Sequence, residues 1–209
     1  MTVDTVDRYQ AVIDEIGNLN WSVLTRDELM AACCAYSYFS VQFVEAVHIA
    51  CKLYPSDRKL IELREGECDT DNLSPYPGIA KEGEKMNHDE FMRRVVAMSS
   101  LDRHAKDTIE NLGQAYLAKT RAMDPVTQAM SLSSYEDGGL ETVFEAMLTA
   151  PDWNEPSLGA FRHFLVEHIK LDGGEHGGLC RHLVADDRIL PLWKAFRDIL
   201  VGAAPRLAA

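Results

Sequence analysis

The sequence has no run of about 18 consecutive apolar residues, so it offers no membrane-spanning helix. Its opening residues, MTVDTVDRYQAVIDEIGNL, are acidic and lack the apolar stretch of a secretory signal, so no export signal is expected. It has no excess of basic charge: 21 Lys and Arg stand against 33 Asp and Glu, a formal net charge of −12. A nucleic-acid binder needs a basic face to neutralise phosphates, and docking on anionic lipid needs one too; neither partner is expected. Strict apolar–polar alternation is nearly absent, which leaves little for β-structure. The cysteines give no disulfide framework: Cys33, Cys34, Cys51, Cys68 and Cys180 are odd in number and irregular in spacing. Without an export signal, reduced thiols in a cytoplasm are the expectation. Internal repeats, low-complexity tracts and dividing linkers are missing as well. Residues 1–209 are therefore expected to form a single domain, large enough for a substantial core.

What is present is helix after helix. Residues 4–17 place Val6, Tyr9, Val12, Ile13 and Ile16 on one stripe. Thr25-Arg-Asp-Glu28 is a capping box. It opens a long apolar helix through Met30, Tyr36, Phe39, Phe43, Val47 and Ala50, ended by Pro55. A helix over 57–68 follows, with Ser56 as its expected cap. Residues 69–81, DTDNLSPYPGIAK, read as an irregular loop. Helix is expected again from about 82 to 99 and from about 102 to 121. Asp124-Pro125 is a cap with proline at the first helical position. It opens a segment reaching toward residue 149, bent at Gly138-Gly139. Asn154-Glu-Pro156 starts the helix carrying FRHFLVEHIKLD, and a last helix covers about 187–202. About eight helices and no sheet predict an all-α bundle, whose ligand sites come from side chains on facing helices.

The most informative stretch is Glu167-His168-Ile-Lys-Leu-Asp172-Gly-Gly-Glu175-His176. Relative to His168 on a helical wheel, Asp172 lies at about 40°, Glu175 at about −20° and His176 at about 80°. Two imidazoles and two carboxylates thus share one face, flanked by Phe161, Phe164, Leu165, Ile169, Leu171 and Leu179. Such a face is either solvated or holds a cation, because burying it alone costs several kcal/mol per charged group. Histidine with carboxylate on inward helix faces is how bundles bind pairs of iron or manganese ions. Gly173 and Gly174 each weaken this helix by about 1 kcal/mol, so bound metal would stabilise it by linkage. His88, in Asn87-His88-Asp-Glu-Phe91, sits at the edge of a stripe of Phe91, Val95 and Met98; a hydrogen-bonded core histidine is the alternative to a ligand there. Glu67 follows Leu60 and Leu63 on an inward stripe, whereas Glu62 and Glu65 lie elsewhere on the wheel. Glu136 stands one turn from Leu132 and from Leu140. Either glutamate alone could equally be an ordinary surface residue.

Taken in order, Glu67, His88, Glu136, His168 and Asp172 resemble the ligand series of the heme-oxygenase-like dimetal oxidases. In that family one helix gives a glutamate, the next a histidine, a later helix a second glutamate, and a final helix His-x3-Asp-x2-His. "NHDEF" and "HIKLDGGEHG" are also similar to segments of a related domain family with the same fold. The resemblance spans about residues 30–185. It departs at the sixth ligand: Glu175 keeps the spacing and His176 keeps the imidazole, and the choice stays open. The resemblance implies a heme-oxygenase-like helical bundle and a non-heme diiron oxidoreductase. It would use two Fe(II) ions, O2 as cosubstrate and an external electron donor. The reaction would be hydrogen abstraction from a small free molecule, an aliphatic or aromatic amino acid of specialised metabolism, ending in desaturation, cyclisation, cleavage or hydroxylation. The azetidine-forming amino-acid oxidases are the nearest type. An amino-acid carboxylate would need a cationic anchor, for which Arg162, Lys170, Arg93 and Arg94 are the candidates. A homodimer is compatible with all of this. Two other readings remain. One is a cofactor-free hydrolase resembling the thiamin-degrading enzymes of the same fold, with Cys33, Cys34 or Cys180 as nucleophile. The other is a non-catalytic helical metal-binding protein.

Overall fold

A computed structural model of the chain describes residues 8–171 and 177–209, and these form an all-α bundle. Among the described residues there is no strand, only isolated bridges at Thr70–Met86 and Tyr76–Ala80. No helix there is long and apolar enough to cross a membrane. The helices are α1 (Arg8–Gly17), α2 (Arg26–Leu53), α3 (Arg58–Cys68), α4 (His88–Ala97) and α5 (Arg103–Arg121). They continue with α6 (Pro125–Ser134), α7 (Leu140–Met147), α8 (Pro156–Leu171), α9 (Gly177–Cys180) and α10 (Leu190–Ala203).

Helix α2 is the spine. The Thr25 side chain accepts from the Glu28 backbone while Glu28 reaches back to the Thr25 backbone, so two otherwise orphaned donors are satisfied reciprocally. Its apolar residues run almost all the way round, and it packs against α3, α4, α5, α6, α8 and α10. A helix apolar on all sides belongs in the middle of a core. Tyr36 and Phe39 lead a buried aromatic cluster in which Phe39 stacks on Phe196 at 4.2 Å and Tyr36 meets Phe144, Phe161 and Phe164.

Three local outcomes differ from the sequence expectation. Helix α3 is capped by Asp57, which accepts from the Lys59 and Leu60 backbone, rather than by Ser56. Helix α4 starts at His88, six residues later than expected. Gly83 takes φ +68°, a conformation that no helix continues through, and the Thr70–Met86 bridge holds the chain extended up to the helix start. His88 is therefore the first residue of a helix and not an interior one. The bend expected at Gly138-Gly139 is a full break between α6 and α7, with Asp137 at ψ +49° and Gly138 at φ +91°, neither of them helical.

The loop before α4 is clamped from outside. Arg94 donates to the Ile79 carbonyl at 2.6 Å, to Glu84 at 2.8 Å and to Glu90 at 2.7 Å. Hydrogen bonds from Arg93, helped by Arg94, hold the Glu90 carboxyl down at about 2. A depressed carboxyl contributes while ionised, so the clamp is complete above about pH 4.5 and is lost as the pH falls toward 2. At neutral pH, Arg94→Ala should raise tryptic cleavage at the exposed Lys81 and Lys85 several-fold, with the helical signal unchanged. Equal cleavage rates would show that the loop does not depend on this arginine.

Candidate metal centre

Four charged or ionisable side chains meet in the apolar interior: Glu67 from α3, His88 from the start of α4, Glu136 from the kink between α6 and α7, and His168 from α8. Their exposures are 3%, 2%, 4% and 7%. All four line one cavity with Tyr36, Phe39, Ser40, Phe43, Leu140 and Phe164. The stripe argument placed Glu67 inward, and it is inward; Glu136, one turn from Leu132 and from Leu140, is buried as well, and Glu62 and Glu65 are exposed.

The contacts define how the imidazoles are presented. His168 Nδ1 lies 2.7 Å from the Phe164 carbonyl, which can only accept, so Nδ1 carries the proton and Nε2 keeps its lone pair. His168 Nε2 is 2.9 Å from His88 Nδ1, and Glu67 Oε2 is 2.5 Å from the same nitrogen. Two acceptors on one ring nitrogen require a proton there. A cation entering the group would replace it, which is the usual way metal binding releases protons. One donor atom each from Glu67, His88 and His168 lies within 4.8 Å of the others, close enough for a shared metal ion. Two imidazoles with carboxylates suit iron, manganese or zinc and do not favour calcium or magnesium.

Of the six ligands read from the sequence, the structure brings together Glu67, His88 and His168, with Glu136 in the wall of the same cavity. Asp172, His176 and the alternative Glu175, together with Gly173 and Gly174, lie outside the described residues. The anchors suggested for a substrate carboxylate are elsewhere. Arg162 and Lys170 are exposed, with Lys170 on Glu167 at 2.7 Å; Arg93 binds Glu90 at 2.6 Å and Arg94 belongs to the loop clamp. Among the described residues no Lys or Arg lines the cavity. The stretches 1–7 and 172–176 contain neither residue type.

The thiols read unlike nucleophiles. Cys33, Cys34 and Cys180 are buried, and burial pushes all three thiols up, Cys34 to about 11. Cys68, next to Glu67, is raised to about 12 by burial and by Glu67 and Asp89. An activated cysteine needs the opposite shift.

Sequence reasoning missed Asn72 and the Phe164 carbonyl, which contact the two imidazoles from outside. The i to i+4 spacing of Phe164 and His168 was a usable signal; nothing in the sequence pairs residue 72 with residue 88. No protein-family model, curated protein or solved structure matches the chain.

Proposed function

We propose that this protein is an oxidoreductase that holds two iron ions between Glu67, His88, Glu136 and His168 and activates dioxygen against a small substrate. The observation that supports the reading is the convergence of these groups, from four separate elements, inside an aromatic shell. Burying that many ionisable groups in a core is costly unless a cation organises them. Bound iron would supply the electrons and coordination positions that dioxygen chemistry requires. Glu67 and Glu136 offset its positive charge. His88 offers Nδ1 and His168 offers Nε2, each ring being held from its far side. Tyr36, Phe39, Phe43, Leu140 and Phe164 keep water away and give an apolar wall on which a hydrocarbon part of a substrate can rest.

By resemblance to the heme-oxygenase-like dimetal oxidases, Asp172 and either His176 or Glu175 complete the ligand set, and an external donor supplies electrons. An aliphatic or aromatic amino acid remains the proposed substrate. With no lysine or arginine in the cavity wall, the side chain and not the carboxylate would be what the protein recognises.

The test is anaerobic loading with Fe(II) followed by oxygen-electrode measurements, with the common amino acids and several fatty acids added in turn. About two irons per chain are expected, as in carboxylate-bridged sites of other bundles, with oxygen uptake accelerated by one compound class. Acceleration by fatty acids alone would replace the amino acid and leave the iron reading standing. Tight iron binding with no oxygen uptake would reduce the protein to a metal binder.

A further inference from the structure

We propose that Asn72 is the positioning residue that commits His88 to binding metal through Nδ1; this rests on the metal-centre reading above. Asn72 lies in the loop between α3 and α4, sixteen residues before His88. The Thr70–Met86 bridge closes that loop, with N–H···O distances of 3.3 and 2.9 Å, and residues 72 and 88 each stand two positions after one of its paired residues. The Asn72 backbone N–H donates to the Thr70 hydroxyl at 3.2 Å, which fixes the turn. Its side chain then reaches two partners: Oδ1 is 3.1 Å from His88 Nε2, and Nδ2 donates to the Gly66 carbonyl at 3.3 Å.

This second contact decides the chemistry of the first. With the amide turned the other way, its oxygen would face the Gly66 carbonyl, two acceptors in contact. The amide oxygen therefore belongs on the imidazole side. An oxygen acceptor beside Nε2 needs a proton on Nε2, so when a cation displaces the Nδ1 proton it is Nδ1 that gives the lone pair. Nδ1 is the atom that meets Glu67 Oε2 and His168 Nε2. His168 is committed the opposite way by the Phe164 carbonyl, so the two imidazoles present different nitrogens to one space. Gly66 also precedes Glu67, so the Asn72 amide ties the loop to the helix turn that carries the carboxylate. Partners that orient metal-binding histidines in this manner typically change metal affinity by about 10–100-fold when removed.

The experiment uses the full chain with Co(II), whose visible absorption reports binding, and long-range nitrogen–proton NMR of the Zn(II)-loaded and metal-free protein, which reports the protonated ring nitrogen. In the Zn(II)-loaded native protein His88 should carry its proton on Nε2. Asn72→Leu, which keeps the bulk and loses the acceptor, should bind Co(II) about 10–100-fold more weakly and lose the single Nε2–H form of His88. Asn72→Asp keeps an acceptor beside Nε2 but sets an oxygen against the Gly66 carbonyl; it should restore the Nε2–H form and bind Co(II) more tightly than Asn72→Leu. A merely structural role would lower stability in both variants and leave the tautomer alone. The proposal is overturned if Asn72→Leu binds Co(II) like the native chain or if His88 of the Zn(II)-loaded native chain is protonated on Nδ1. Should the native chain take up no Co(II), the metal-centre reading fails, and a His88 without a proton on Nε2 in the metal-free spectrum still overturns the role of Asn72.

Discussion

His168→Ala should bind Fe(II) more weakly by over about 100-fold, more than removal of an outer partner costs. The imidazole it deletes is buried, fixed in one tautomer and 2.9 Å from the other histidine of the group. No neighbouring side chain on α8 can replace it. Phe161, Phe164 and Leu165 are apolar, and His163, one turn earlier, is turned outward to the Leu73 carbonyl and to Tyr76. His48→Ala and His104→Ala remove exposed imidazoles from α2 and α5 and should leave iron binding unchanged. Iron content after anaerobic gel filtration, measured beside each variant's helical circular dichroism, separates loss of a ligand from loss of the fold. Full retention of iron by a folded His168→Ala protein would remove this residue from the centre, and with it the argument for a shared cation.

How far such a site can be read without coordinates depends on which interactions are periodic. Glu67 was legible because it falls on the stripe set by Leu60 and Leu63, and a glutamate that keeps an apolar register is either paired or ligating. The capping box at Thr25 and the proline start at Asp124-Pro125 were legible for the same kind of reason: their chemistry is local. The loop of residues 69–87 was not. Its shape comes from the Arg94 contact to the Ile79 carbonyl, the Thr70–Met86 bridge and the His163 contact to Leu73, each joining residues 15 or more apart in sequence. Periodicity carries no information about such pairs. The late start of α4 follows from that loop, and so does the partner of His88. Glu136 lies between the two cases. It stands one turn from Leu132 and from Leu140, but its position depends on the kink that follows it at Asp137 and Gly138, and only the Gly138-Gly139 pair announced that kink.

Phe164→Ala should lower the stability of the metal-free protein by about 3–5 kcal/mol, the range for truncating a fully buried phenylalanine. The ring is 1% exposed and is central to both halves of the molecule's chemistry. It stacks on the His168 ring at 4.0 Å, packs edge-on to His88 at 5.8 Å and touches Tyr36 and Phe91 in the core. Nothing nearby collapses easily into the space, since Tyr36 already packs against both Phe144 and Phe161. For a chain of this length the loss corresponds to a fall in Tm of roughly 10 °C. The backbone carbonyl that holds the His168 proton belongs to residue 164 whatever its side chain, so the substitution leaves the ligand's tautomer in place. Urea unfolding without metal and iron content with metal should therefore part company in this variant: a large loss of stability, with iron per folded chain retained. A stability change below about 1 kcal/mol would mean that the wall around the centre is loosely packed, contrary to the cavity cost expected of a dense core. Loss of iron at full helicity would mean that the ring, and not only the carbonyl, sets the orientation of His168.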